Sequence, residues 1–232
     1  MSNIFSTSGN YFKSEKVKDF FAAISSSGII FFRTDNHTTI NYVSVPATIT
    51  DFFAPEPYSH LYISTSESGV LKFFIPYLIE SSNDLQRYLI RHRDTNTGLP
   101  SNNVFAIDGT DTCLFAATSS GLYIQSDTLT HVVPALNQIS LLKFNSKSNS
   151  LYFATPSGVG VKADNLLNVW YDPTYRFNVN AAPSLMSDVI QSLEVTGSGV
   201  NELIAIGTAS GIDLINLRTN LETSNITHLR NL

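Results

Sequence analysis

A chain of 232 residues that is 43% apolar and 11% aromatic can bury a sizeable core, yet only 14% of it is charged, so Ser, Thr and Asn must carry the polar surface. The formal charge of −5 argues against a broad phosphate-binding surface, and nucleic acid is not expected as a partner. The single cysteine, Cys113, excludes an internal disulfide, and every apolar stretch falls short of the roughly 20 residues a membrane helix needs.

Along the chain, the start Met1-Ser2-Asn3-Ile4-Phe5 lacks the pattern of a secretory signal, so a soluble, unprocessed chain is expected. Residues 1–17 either supply a first inner strand, through Ile4-Phe5 or Tyr11-Phe12, or project as an arm. From there a Ser-Gly pair recurs, at Ser27-Gly28, Ser68-Gly69, Ser120-Gly121, Ser157-Gly158 and Ser210-Gly211. Apolar runs precede it at 21–24, 61–65, 114–118, 151–155 and 203–208, and alternating runs follow it at 29–32, 70–74, 122–124, 159–161 and 212–215. β-branched and aromatic runs on both sides of a Gly-containing turn read as a β-hairpin, with Gly28, Gly69, Gly121, Gly158 and Gly211 supplying positive φ.

The glycines are spaced by 41, 52, 37 and 53 residues, about 46 on average, which is the size of a four-stranded propeller blade. Inner strands are expected at 49–53, 104–107, 139–144 and 189–195. More polar outer strands are expected at 39–43, 87–91, 130–133, 169–171 and 225–229, where exposure tolerates charge. The reading is an all-β, five-bladed β-propeller of roughly four-stranded blades, one domain over 1–232, each sheet burying its faces against two neighbours.

The run Gly98-Leu99-Pro100-Ser101-Asn102-Asn103-Val104-Phe105-Ala106-Ile107, followed by 114–118 and Gly121-Leu122-Tyr123, resembles the two-component-regulator propeller repeat. A second copy runs from Pro183-Ser184 through Val189-Ile190 to Ile206-Gly207-Thr208 and Gly211-Ile212. The resemblance implies the fold. It carries no signalling role, because members are large membrane sensors with a transmembrane helix and a kinase, and their usual second-strand Trp is replaced here by Tyr62, Phe115, Tyr152 and Ile204. In the turn itself Pro100 pre-sets φ, Gly98 permits an unusual angle, and Ser101 and Asn102 cap local amides.

No catalytic, cofactor or metal signature stands out. His37, His60, His92, His131 and His228 lack the short spacing of a metal site and are expected at the surface or in structural hydrogen bonds. Asp108-Gly109-Thr110-Asp111 reads as a turn, since it lacks the other ligands of a calcium loop. Five copies of Ser-Gly fit a repeated turn and not a unique nucleophile. Cys113, before an apolar run, is expected to be a buried structural thiol.

Two groups are interface candidates. Arg87, Arg91 and Arg93 form the one basic cluster, a solvated strand face or a docking patch for an acidic partner. Trp170, Tyr171, Tyr175 and Phe177 could anchor an interface or plug a gap between blades, and the insertions 75–100 and 165–188 are long enough to bind. The expected role is a non-enzymatic structural or interaction protein in a larger assembly. Its low charge and Ser/Thr/Asn richness are similar to bacteriophage virion components, so a neck or tail adaptor is its most concrete form. The location is then the virion, and otherwise the cytoplasm. A glycan-binding lectin is the alternative, and a channel hydrolase using Asp51, Asp108 and Asp188 the lesser one.

Overall fold

The computed structural model describes residues 11–17, 19–33, 39–75, 89–126, 130–163, 175–177, 185–197, 202–217 and 223–230. They form five four-stranded antiparallel sheets, each from four strands consecutive in the chain. The first holds β1 (Tyr11–Val17), β2 (Phe20–Ser25), β3 (Gly28–Arg33) and β4 (Thr39–Ser44). The second holds β5 (Ile49–Phe53), β6 (His60–Thr65), β7 (Val70–Phe74) and β8 (Leu89–Arg93). The third is β9 (Val104–Gly109), β10 (Cys113–Thr118), β11 (Gly121–Ser126) and β12 (Thr130–Val133). The fourth is β13 (Leu141–Asn145), β14 (Ser150–Thr155), β15 (Gly158–Ala163) and β16 (Tyr175–Phe177). The fifth is β17 (Ile190–Thr196), β18 (Glu202–Thr208), β19 (Gly211–Leu217) and β20 (Thr223–Arg230). Of the two alternatives for the N-terminus, the strand is observed: β1 pairs antiparallel with β2.

Compact units span Met1–Asp111 and Thr112–Leu232. In the first, Val17, Ile24 and Phe31 of the first sheet pack with Phe52, Ile63 and Phe73 of the second. In the second, Tyr152, Val159 and Val161 of the fourth sheet pack with Val195, Ile204 and Ile215 of the fifth. The second strands of sheets two to four, β6, β10 and β14, are buried almost end to end. That explains why they read as continuous apolar runs and not as alternating ones. The positions replacing the repeat's Trp, Tyr62, Phe115, Tyr152 and Ile204, are all buried.

The repeated turn has a structural cause that the Ser-Gly pair only half conveys. Two residues before the Ser, a buried hydroxyl closes the reversal: Thr118 Oγ1 donates to Gly121 O at 2.7 Å and accepts from Ser120 N at 3.2 Å. Thr155 and Thr208 repeat this with Gly158 and Gly211, and Ser25 does so with Gly28. In the second sheet Thr65, one residue further back, donates to Gly69 O at 3.0 Å and accepts from Ser68 N at 2.9 Å. Such local side-chain bonds satisfy turn amides that the ladder leaves open.

Positive φ occurs at Gly69, Gly121, Gly158 and Gly211 but not at Gly28. There the reading is corrected. Gly28 is needed because the ring of Tyr42 lies where a side chain would project. The Gly98 turn matches its reading: Gly98 has φ 102°, Ser101 Oγ accepts from Asn103 N at 3.1 Å, and Asn102 Oδ1 accepts from Thr95 N at 2.7 Å.

The outer strand of the fourth sheet is described at Tyr175–Phe177, where Val159 faces Phe177 and Gly160 faces Tyr175, and the expected segment 169–171 lies outside the described residues. A difference appears in the fifth sheet. Strand β18 alternates, with Glu202, Ile204, Ile206 and Thr208 buried and Leu203 exposed, unlike the continuously buried second strands of sheets two to four.

Candidate interaction surfaces

Among the described residues three carboxylates are buried, and each is held by polar groups, as burial of charge demands. Asp51, on β5, accepts from Lys13 Nζ on β1 at 2.5 Å, from Phe52 N at 2.8 Å and, through its other oxygen, from Ile107 N on β9 at 3.0 Å. It thereby ties the first strands of three consecutive sheets. Lys13 also donates to Phe52 O at 2.7 Å and stands 5.2 Å over the Phe52 ring. Glu202 accepts from Asn145 Nδ2 and from Ser148 Oγ, the latter at 2.7 Å, linking β18 to the turn after β13. Asp213 accepts from His228 Nδ1 at 2.5 Å and from Met186 N at 3.0 Å.

Asp51, Asp108 and Asp188 were the sequence's candidates for channel chemistry, and Asp188 is half-buried just before β17. Asp51 is committed to structural bonds, and Asp108 Oδ1 accepts from Gly109 N at 2.8 Å.

At the start of β6, His60 Nδ1 lies 3.0 Å from Asp111 Oδ1 and 3.0 Å from Ser59 Oγ. A carboxylate cannot donate, so Nδ1–H donates to Asp111. The residue types are those of a hydrolytic triad, but the geometry is not. In a triad the hydroxyl and the carboxylate engage opposite ring nitrogens, so that one accepts the proton while the other is oriented. Here both meet Nδ1, and Ser59 Oγ instead reaches Asp111 Oδ2 at 3.4 Å. The arrangement is a latch between the loop before β6 and the turn after β9. Tyr62 extends it, its hydroxyl donating to Asp111 O at 3.3 Å while its ring stacks on Phe53 at 4.7 Å beneath Lys72. Among the described residues no group of three or more His, Cys, Asp or Glu is placed to hold a metal ion. His60 and His228 are in structural hydrogen bonds, and His131 is half-buried on β12.

Of the interface candidates, Arg87, Trp170 and Tyr171 lie outside the described residues. Arg91 and Arg93 sit on β8, the outermost strand of its sheet, with Arg93 half-buried; Tyr175 and Phe177 sit on β16. The structure does not place the arginines and the aromatic residues on one sheet.

The exposed apolar side chains around the fifth sheet were missed by the sequence reading. Among the described residues six large apolar side chains are exposed, and four belong to this region: Val189 at 61%, Leu203 at 38%, Ile212 at 46% and Leu229 at 48%. Ile212 and Leu229 are cross-strand partners, and Ile212 also faces Gly207, which adds no side chain between β18 and its neighbours. The alternation in Glu202–Thr208 was a usable signal, because period 2 marks a strand less covered on one face than on the other.

Cys113, at the start of β10, is half-buried, and burial pushes its thiol up to about 11. Because the thiolate is the nucleophile, iodoacetamide should modify the folded protein slowly at pH 8, faster as pH approaches 11, and quickly at pH 8 once denatured. Equal rates for folded and denatured protein at pH 8, read by mass spectrometry, would contradict this burial.

No family model matches the sequence, and no curated protein matches it. Among solved structures the chain is similar to the crystal structure of the Myceliophteria thermophila Cps50 (Swd1) β-propeller domain, with a TM-score of 0.64 and 13% identity over 96% of this chain and 72% of that one. Five consecutive four-stranded antiparallel sheets and this likeness define the chain as a five-bladed β-propeller. No helix among its described residues is long and apolar enough to cross a membrane.

Proposed function

We propose that this propeller is a non-enzymatic scaffold that docks other proteins, with the exposed apolar residues of the fifth sheet as its contact surface. The observation that carries the reading is the concentration of Val189, Leu203, Ile212 and Leu229 around that one sheet. Of these, Ile212 and Leu229 are direct cross-strand neighbours, and adjoining exposed apolar side chains mark interaction sites more than isolated ones do. The commitment of Asp51 and the single-nitrogen geometry at His60 argue in the same direction, since both remove groups that channel chemistry would draw on. A virion neck or tail adaptor is the most concrete form of this role, and composition is what supports that form.

The test is assembly. Protein isolated under native conditions should occur in stoichiometric copies within a ring or particle. The double variant Ile212→Asp and Leu229→Asp should fold with an unchanged circular dichroism spectrum yet fail to incorporate. Specific binding by a free monomer on a glycan array would replace this reading with a lectin, and turnover abolished by Asp108→Ala would replace it with a hydrolase.

A further inference from the structure

The end of β9 carries a chemistry that the docking role does not use. Asp108-Gly109 is the only Asp-Gly pair in the chain, and Gly109 has φ 151°. The Asp108 side chain is folded back on the main chain, with Gly109 N–H donating to its Oδ1 at 2.8 Å. The amide nitrogen therefore faces a carboxyl oxygen one bond from Cγ, and Gly109 has no side chain to obstruct closer approach. Asp108 is half-buried, so water reaches the site.

We propose that Asp108-Gly109 is a self-modification site, at which the folded protein converts Asp108 to isoaspartate. In the first step Gly109 N gives up its proton and bonds to Cγ of Asp108, and one carboxyl oxygen leaves as water, closing a five-membered succinimide. In the second, water adds to one of the two imide carbonyls. Opening at Cγ restores aspartate, while opening at the main-chain carbonyl routes the chain through Cβ and Cγ. One water leaves and one returns, so mass is unchanged and no oxidant or reductant is needed.

The product has one more atom in the main chain just ahead of Asp111, the residue that latches His60 and Tyr62. The modification lengthens the end of β9 and displaces Asp111 from both partners, loosening the link between the loop before β6 and the turn after β9.

Purified protein is incubated in neutral buffer at physiological temperature, digested, and compared over time with a synthetic peptide of residues 104–112. The expected result is that the peptide containing 108–109 from the folded protein splits into two chromatographic peaks of equal mass. Protein isoaspartyl methyltransferase should label only the new peak, and Asp108→Glu should abolish it, because the longer side chain would have to close a larger ring. A folded protein whose peptide stays a single unlabelled peak, whether or not the synthetic peptide splits, overturns the proposal. That comparison needs no variant, so it stands even if Asp108→Glu fails to fold.

Discussion

Replacing Asp51 by alanine should destabilise the protein by about 3 kcal/mol, the scale for removing one partner of a buried, hydrogen-bonded charge pair. The substitution leaves Ile107 N and Phe52 N without their acceptor and Lys13 without its counter-ion. Lys13→Ala should cost much less, about 1 kcal/mol, because the lysine side chain is 39% exposed and water replaces part of what it loses, whereas that of Asp51 is only 13% exposed. Urea unfolding followed by circular dichroism reads both as shifts in midpoint at similar slope. If Lys13→Ala costs as much as Asp51→Ala, the ion pair outweighs the amide bonds, and the reading of Asp51 as a pin for three first strands is wrong.

Gly121→Ala should be the more damaging of two glycine substitutions. Gly121 has φ 128°, and an added Cβ would sit 2.7 Å from Val133 O and 2.8 Å from Pro134 Cα, both main-chain atoms that cannot rotate away. An unfavourable backbone angle costs about 1–3 kcal/mol, and forced overpacking adds a further 1–3 kcal/mol or so. Gly98 has φ 102° but nothing within 4 Å of the added carbon, so Gly98→Ala carries the angular cost alone, about 1 kcal/mol. Thermal melts of the two variants side by side separate strain from collision. Equal losses would mean that the close approach of Val133 and Pro134 yields without cost.

How much of this could be read in advance depended on whether the cause was local. The hairpins were legible because a turn is a local event. Apolar runs flanking Ser-Gly name both strands, and the observed pairs, such as Thr118 opposite Gly121 and Thr155 opposite Gly158, close where the pattern places them. The Gly98 turn was legible for the same reason, its caps lying within eight residues of one another. The hydroxyl clasp was half visible. Its Thr was present in the Gly-Thr strand ending of the repeat, but its pairing with the glycine carbonyl emerged only in three dimensions.

The candidate surfaces were less legible. Asp51 meets Lys13 across 38 residues and Ile107 across 56, and no local pattern shows that a carboxylate before two phenylalanines will tie three first strands. His60 finds Asp111 across 51 residues, and only coordinates reveal that serine and aspartate share one ring nitrogen. The fourth sheet's outer strand has the same origin, since pairing to β15 brings in 175–177, and strand propensity alone does not name that partner.

By itself, then, the sequence determined the all-β class, the hairpin repeat with its blade-sized period, and the count of five sheets, since these follow from short-range alternation and turn chemistry repeated along the chain. Tertiary structure alone decided which acids became structural pins, why Gly28 needs no positive φ, and which sheet carries the exposed apolar side chains. Those outcomes depend on groups far apart in the chain arriving at bonding distance, and on which side chains the packing leaves uncovered.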